Sequence, residues 1–265
     1  MSGGRARRSA PRGPAGRGAA GAPCPGPFAG EVALVTGGSA GIGLAIARGL
    51  VRGGARVLLV ARRRGPLAAA ERELAAEAQA AGSPAVAARA GDLARAADVR
   101  ALAAWARREA PRLDVLVNNA GHLDPRPFER LDEAAWERAL AVNLLAPVRL
   151  LRALVPSLRA ARGARVVNVS SIAGVEGSVK LPGTSAYAAA KAGLVALTQV
   201  LAVEWERTGP RVNAVSFGSV ETAMFRRVAR LAKPGMPAAA AARMALFLAS
   251  RESEPMNGRN VEFWS

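Results

Sequence analysis

Cysteine, histidine and tyrosine each occur once in this sequence, as Cys24, His122 and Tyr187, and lysine occurs only at Lys180, Lys191 and Lys233. One cysteine supports neither an intrachain disulfide nor a thiolate metal cluster. One histidine excludes a histidine-rich metal site and leaves His122 as the sole base open to a serine-type triad. Aromatics make up 4% of the chain, too few for the stacking platforms of a single-strand nucleic-acid binder. No uncharged apolar run reaches the roughly 20 residues of a membrane-spanning helix. The longest, Val32 to Ala47, is broken by Gly37, Gly38, Gly41 and Gly43.

What is present fits a folded body of enzyme size. The 265 residues are 51% hydrophobic and 22% charged, a composition that buries a sizeable core as one domain plus a tail. The net charge of +17 includes Arg5, Arg7, Arg8, Arg12 and Arg17, all ahead of the first acid, Glu31. The remaining basic charge is mostly arginine scattered through helix-like segments, which reads as compositional bias, so no nucleic-acid partner is expected. Residues 1–27 are rich in Gly, Pro, Ala and Arg without apolar period, the composition of a disordered leader. The leader is read either as a dispensable cytoplasmic tail or as an organelle transit segment, with the domain spanning 28–265.

From Phe28 onward, seven short apolar runs alternate with longer Ala/Leu/Arg segments of helical period. The runs are Val32–Val35, Val57–Val60, Val86–Ala88, Val115–Val117, Val166–Val169, Val212–Val215 and Val261–Phe263. Uniformly apolar strands separated by helices predict a single doubly wound, Rossmann-type parallel sheet of about seven strands, an α/β fold. Such sheets bind ligands at the carboxyl ends of their strands, so the chemistry is sought just after each run.

After the first run comes Thr36-Gly37-Gly38-Ser39-Ala40-Gly41-Ile42-Gly43, then an apolar-faced helix. Glycines there let the backbone turn and approach a pyrophosphate, whose charge meets unpaired N–H groups at the helix start. The second run ends Ala61-Arg62-Arg63-Arg64, where an acid at position 61 would accept from the 2′-hydroxyl of NAD(H). Ala61 removes that acceptor and Arg62 supplies a donor for a 2′-phosphate, so NADP(H) is the expected cofactor over NAD(H). The competing reading makes these arginines a solvated helix start. Tyr187 stands four residues before Lys191, one helical turn away on the same face. A phenol titrates near ~10, and a neighbouring ammonium draws it toward working pH, which suits proton transfer.

With these motifs, the chain resembles the short-chain dehydrogenase/reductase family, and the spacing Thr-Gly-x-x-x-Gly-x-Gly is that family's pattern. The likeness runs from Phe28 to the C-terminus through Asp92-Leu93, Asn118-Asn119-Ala120-Gly121, Asn143 in Val-Asn-Leu, Ser170-Ser171, and Tyr187 with Lys191. The resemblance implies that Tyr187 is the general acid/base, Lys191 tunes it, Ser171 polarises the substrate oxygen, and Asn143 holds a water linking lysine to solvent. It also implies a cofactor set of Gly37, Ser39, Gly41, Ile42, Arg62, Asp92, Leu93, Asn119, Ala120, Gly121, Tyr187, Lys191, Val220 and Thr222.

The expected reaction is hydride transfer between NADP(H) and a carbonyl or secondary alcohol, with a 3-oxoacyl thioester the most specific substrate, in a homodimer or homotetramer. The rival reading is an NADP(H)-binding sensor or scaffold. Four departures from the family bear on this. Ser171 and Tyr187 lie 16 apart, longer than usual, so Ser171 is open to displacement. Phe217 replaces a turn proline, only 24 residues (Ala223 to Leu246) fill the segment that forms the relatives' lid, and the glycine pair common after the last strand is missing.

Overall fold

Seven runs of Val, Ala and Leu pair into one parallel sheet in the computed structural model, which describes Met1 and residues 26–207, 209–228 and 235–264. The strands are β1 (Val32–Thr36), β2 (Arg56–Ala61), β3 (Ala87–Ala90), β4 (Val115–Asn118), β5 (Arg165–Ser171), β6 (Arg211–Phe217) and β7 (Asn260–Phe263). Their spatial order is β3-β2-β1-β4-β5-β6-β7, the doubly wound arrangement expected. The third strand starts one residue later than its run: Val86 packs on the core, and pairing begins at Ala87 opposite Leu58.

Helices α1 (Gly41–Arg52) and α2 (Arg64–Ala80) cover one face of the sheet, with a later helix, Ala238–Ala249. Helix α3 (Ala96–Glu109) covers the other face with two more, described below. Side chains of a strand alternate between faces, so Ala33 and Val35 of β1 meet Ile46 and Leu50 while Leu34 between them meets the α3 side. Full burial of each such aliphatic side chain contributes about 1.5–3 kcal/mol, and of the polar side chains the central strands do bury, Asn118 and Asn168 are hydrogen-bonded to each other.

On the α3 side, α4 (Glu133–Leu140) runs through a π turn, Ala141–Leu145, into α5 (Ala146–Arg159), and α6 (Ser185–Glu204) lies beside them; Ala238–Ala249 is then α7. By length and composition, Glu133–Arg159 and Ser185–Glu204 are long and apolar enough to cross a membrane. Neither is an uncharged run, since Glu137, Arg138, Arg149 and Arg152 lie in the first and Lys191 in the second. Here both helices turn buried residues such as Leu150, Leu154, Leu194 and Thr198 inward.

At the amino ends of the strands, Glu31 and Arg165 are 4% and 2% exposed and form an ion pair. Arg165 Nε also donates to the Ala249 carbonyl at 2.8 Å, and Arg251 Nε reaches the other Glu31 oxygen at 3.2 Å. Nearby, Asp114 accepts from the Val32 amide at 2.9 Å. At the opposite end, β1 and β4 send their connections to opposite sides, and the crevice between them opens where ligands bind on such sheets. Of the expected leader, residues 2–25, Cys24 among them, lie outside the described residues. Packing is already present at Gly26, where an added Cβ would lie 2.4 Å from the Gly53 carbonyl oxygen.

Candidate active site

The turn after β1 approaches its neighbours closely enough that side chains are excluded. A Cβ on Gly43 would sit 2.4 Å from both Asn119 Nδ2 and the Gly37 carbonyl, and Gly37 itself has φ +69°, a conformation open to glycine. Thr36 ties this turn to the loop after β4. Its hydroxyl accepts from the Asn119 and Ala120 amides at 3.0 and 3.1 Å, and Asn119 Nδ2 donates to the Thr36 carbonyl at 2.9 Å. Helix α1 begins at Ala40 without a side-chain cap, so its first N–H groups face the crevice unspent, as a diphosphate requires.

The crevice has two lobes that meet at Gly37, Ala120 and Gly121. The smaller, about 190 Å³, is bordered by Ser39, Ala61, Arg62, Asp92, Leu93 and Arg138, with His122 in its wall as expected. Arg62 is exposed and forms no ion pair among the described residues, so its guanidinium is available to a phosphate. Burial alone would push the Asp92 carboxyl up, but the Ala94 amide at 3.0 Å and Arg138 at 3.2 Å hold it below the usual carboxylate range. Burial and the Arg138 charge push His122 down. Arg138 lies 46 residues from Asp92, and no local signal in the sequence announced it. The glycine cradle and the uncapped helix start together fit a nicotinamide dinucleotide.

The larger lobe, about 390 Å³, holds Gly41, Ile42, Asn119, Ser171, Tyr187, Lys191, Val220 and Thr222 along its lining. Every residue named from the sequence therefore borders one lobe or the other, except Asn143. Fully buried, Asn143 accepts from the His122 amide at 3.0 Å and donates to the His122 and Ala139 carbonyls at 2.8 Å each. Both its amide protons are consumed, so its side chain clamps the loop after β4 to the π turn. The π turn is closed by an Ala146 amide to Ala141 carbonyl bond.

Ser171 ends β5 and Tyr187 lies in the first turn of α6. Both side chains border the larger lobe, and Ser171 acts on the Tyr187 phenol, so the long spacing leaves the two on the same site. The intervening residues are taken up by a 3-10 turn, Ile172–Gly174, and a loop with Gly177 and Gly183 at φ +73° and +78°. Lys191 Nζ stands 5.8 Å from the Tyr187 ring centroid and donates to the Val169 carbonyl at 2.7 Å. Burial pushes the Lys191 ammonium down to about 8. Burial also raises the Tyr187 phenol, and the hydrogen bond with Ser171 opposes that rise. The expectation that Lys191 draws the phenol down is thus corrected for the protein alone: desolvation dominates, and Ser171 is the lowering partner.

The Phe217 turn is held without proline. Phe217 is 3% exposed, its ring lies 6.3 Å from that of Phe263, and the Gly218 amide donates to the Phe263 carbonyl at 2.8 Å. Of the short segment after Thr222, residues 229–234 lie outside the described residues. Met236 bridges Val220 and exchanges backbone hydrogen bonds with Ser219 and Glu221, at 2.9 Å each.

The short chain dehydrogenase family model matches residues 31–232. L-fucose dehydrogenase of Bos taurus is 36% identical over 242 residues, covering 84% of each chain. D-beta-hydroxybutyrate dehydrogenase of Cupriavidus necator is 34% identical over 210 residues, covering 78% of each. Among solved structures, the NADPH-bound short chain oxidoreductase of Pseudomonas aeruginosa PAO1, described as containing an atypical catalytic center, superposes with a TM-score of 0.79. It is 33% identical, covering 88% of this chain and 94% of that one.

Proposed function

The chain belongs to the short-chain dehydrogenase/reductase family, and from that membership we propose that it transfers a hydride between NADP(H) and a carbonyl or secondary alcohol. The observation that carries the reading is the convergence of Ser171, Tyr187 and Lys191 on one lobe that the glycine turn also borders, with Lys191 Nζ 5.8 Å from the Tyr187 ring centroid. When bound, the nicotinamide supplies hydride to the carbonyl carbon or takes it back. Gly37, Ser39 and the start of α1 hold the diphosphate, Arg62 the 2′-phosphate, Asp92 and Leu93 the adenine side, and Val220 with Thr222 the carboxamide. Membership in the family supports an NAD(P) nucleotide, and Arg62 is what favours NADP(H).

In the direction of reduction, Tyr187 Oη releases its proton to the substrate oxygen while the Ser171 hydroxyl donates to the same atom and polarises it. Lys191, still mostly charged at neutral pH with a value of about 8, offsets the phenolate left on Tyr187. The proton is then replaced from solvent. Substrates in keeping with this are ketones, secondary alcohols and 3-oxoacyl thioesters. Self-association as a homodimer or tetramer belongs to the same reading and is favoured by Val200 and Val203, 53% and 76% exposed on α6.

The deciding experiment measures NADPH binding and NADPH oxidation side by side across a panel of carbonyl compounds. Turnover with at least one class supports the reading. Tight NADPH binding with no turnover on any member favours the sensor alternative, although the Phe217 turn that first suggested it is well packed.

A further inference from the structure

The residues between Ser171 and Tyr187 are not used by the proposed hydride-transfer chemistry, yet they form a wall of the larger lobe through Ile172, Val179, Leu181 and Thr184. The polar side chains at three positions of this loop are spent on the loop itself. Lys180 Nζ donates to the Ala173 carbonyl at 3.0 Å, to the Val175 carbonyl and to Ser178 Oγ at 2.8 Å, which uses all three of its donors. Ser178 Oγ bonds the Ile172 and Val175 carbonyls, and Thr184 Oγ1 donates to the Leu181 carbonyl at 2.7 Å. The loop is stapled through its own polar groups, and its apolar Val179, 76% exposed, and Leu181 border the cleft.

The facing wall is apolar too, with Leu123, Phe217, Met224, Phe225 and Val228. Ser170 donates to the Lys191 carbonyl at 3.0 Å, and Asn119 is spent on the Thr36 and Gly37 carbonyls. Of the charged groups bordering this lobe, Arg63 also borders the smaller one, and Lys191 is bound to the Val169 carbonyl. Among the described residues, the wall made by the loop and its facing side thus offers no cation to a carboxylate and no array of donors to a sugar. A carboxylate drawn in there would be desolvated without a partner.

We propose that this lobe receives an uncharged, apolar substituent, so that the substrate is a neutral ketone or secondary alcohol bearing an aliphatic or ring group, with Val179 and Leu181 setting that preference. The proposal rests on the hydride-transfer reading and narrows it.

A matched pair of substrates tests it: 2-heptanone and 6-oxoheptanoate, which differ by a carboxylate in place of the terminal methyl. With NADPH and the full-length protein, kcat/KM for 2-heptanone is expected to exceed that for 6-oxoheptanoate by at least ~100-fold. Leu181→Arg should narrow that ratio at least tenfold while NADPH affinity, read by its fluorescence, stays within a small factor. Should that variant fold poorly, Val179→Ala should lower kcat/KM for 2-heptanone roughly tenfold relative to acetone, which is too short to reach the loop. Equal or better use of 6-oxoheptanoate overturns the apolar substrate class and leaves hydride transfer standing. Bound NADPH with no reduction of either ketone, of acetone or of an aldose overturns hydride transfer, and the proposal with it.

Discussion

The two ends of the same sheet treat their polar groups in opposite ways. At the amino ends of the strands, Glu31, Arg165, Arg251 and Asp114 are spent on one another or on nearby backbone, and Arg165 and Glu31 are almost wholly buried. At the carboxyl ends, Arg62 forms no ion pair among the described residues, the start of α1 has no side-chain cap, and Ser171 and Tyr187 border an open lobe. Saturated polar groups lock a packing arrangement, and unsaturated ones are where a ligand gains its interactions. Substitutions at one end should therefore move stability and leave chemistry alone, and substitutions at the other end should do the reverse.

The largest effect is expected at Tyr187. Tyr187→Phe removes one oxygen and keeps the ring, so carbonyl reduction should fall by ~10²–10⁴-fold, while the melting temperature and NADPH affinity stay close to wild type. A Phe variant that retains most turnover would remove Tyr187 from the proton-transfer role. At the other end, Arg165→Met leaves buried Glu31 with the exposed Arg251 as its remaining ion-pair partner among the described residues and should cost up to about 3–5 kcal/mol of unfolding free energy, most of it recovered in the double variant with Glu31→Leu. Turnover per folded molecule, assayed well below the transition, should not change; a loss of kcat at full folding would mean that the two ends are coupled.

Arg62→Asp has a smaller expected effect, confined to cofactor choice. Hydrogen bonds to a charged group are worth about 1.5–3 kcal/mol, so the ratio of NADPH to NADH efficiency should drop roughly 10- to 100-fold. An unchanged ratio would make Arg62 a solvated surface charge. The smallest effect is a pH slope. Buried Lys191 titrates at about 8, against 10.5 in the unfolded chain, so the unfolded state holds the extra proton between these values. The cost of burying the ammonium is therefore fully present below about 8 and fades as pH rises toward the unfolded value. Relative to Lys191→Met, cofactor-free protein should gain up to ~1.4 kcal/mol per pH unit across that window. Parallel stability curves for the two proteins would show that Lys191 is not desolvated.

Much of this was legible in the sequence because it depends on local pattern. Apolar runs placed all seven strands, glycine spacing placed the turn, and one tyrosine beside one of three lysines marked the pair proposed for proton transfer. What depends on partners far along the chain was not legible. Arg138 meets Asp92 from α4, the Asn143 amide is consumed by His122 and Ala139, and the phenol of Tyr187 is raised because packing removes water from it. Counting residues between Ser171 and Tyr187 suggested a displaced serine. The surplus is instead taken up by two left-handed glycines and a lysine staple, and a count of positions contains neither.

Thr36 gives the cofactor side a property that matters for redesign. Because its hydroxyl and carbonyl hold Asn119 and Ala120 while Asn119 returns to Gly37, the loops after β1 and β4 behave as one cassette. A graft that exchanged the glycine turn alone would import one half of a matched pair and leave the other half keyed to the old backbone path. Cofactor preference is better transplanted by moving residues 36–43 and 118–121 together, with the arginine at position 62 varied independently, since no hydrogen bond or ion pair described here ties it to either loop.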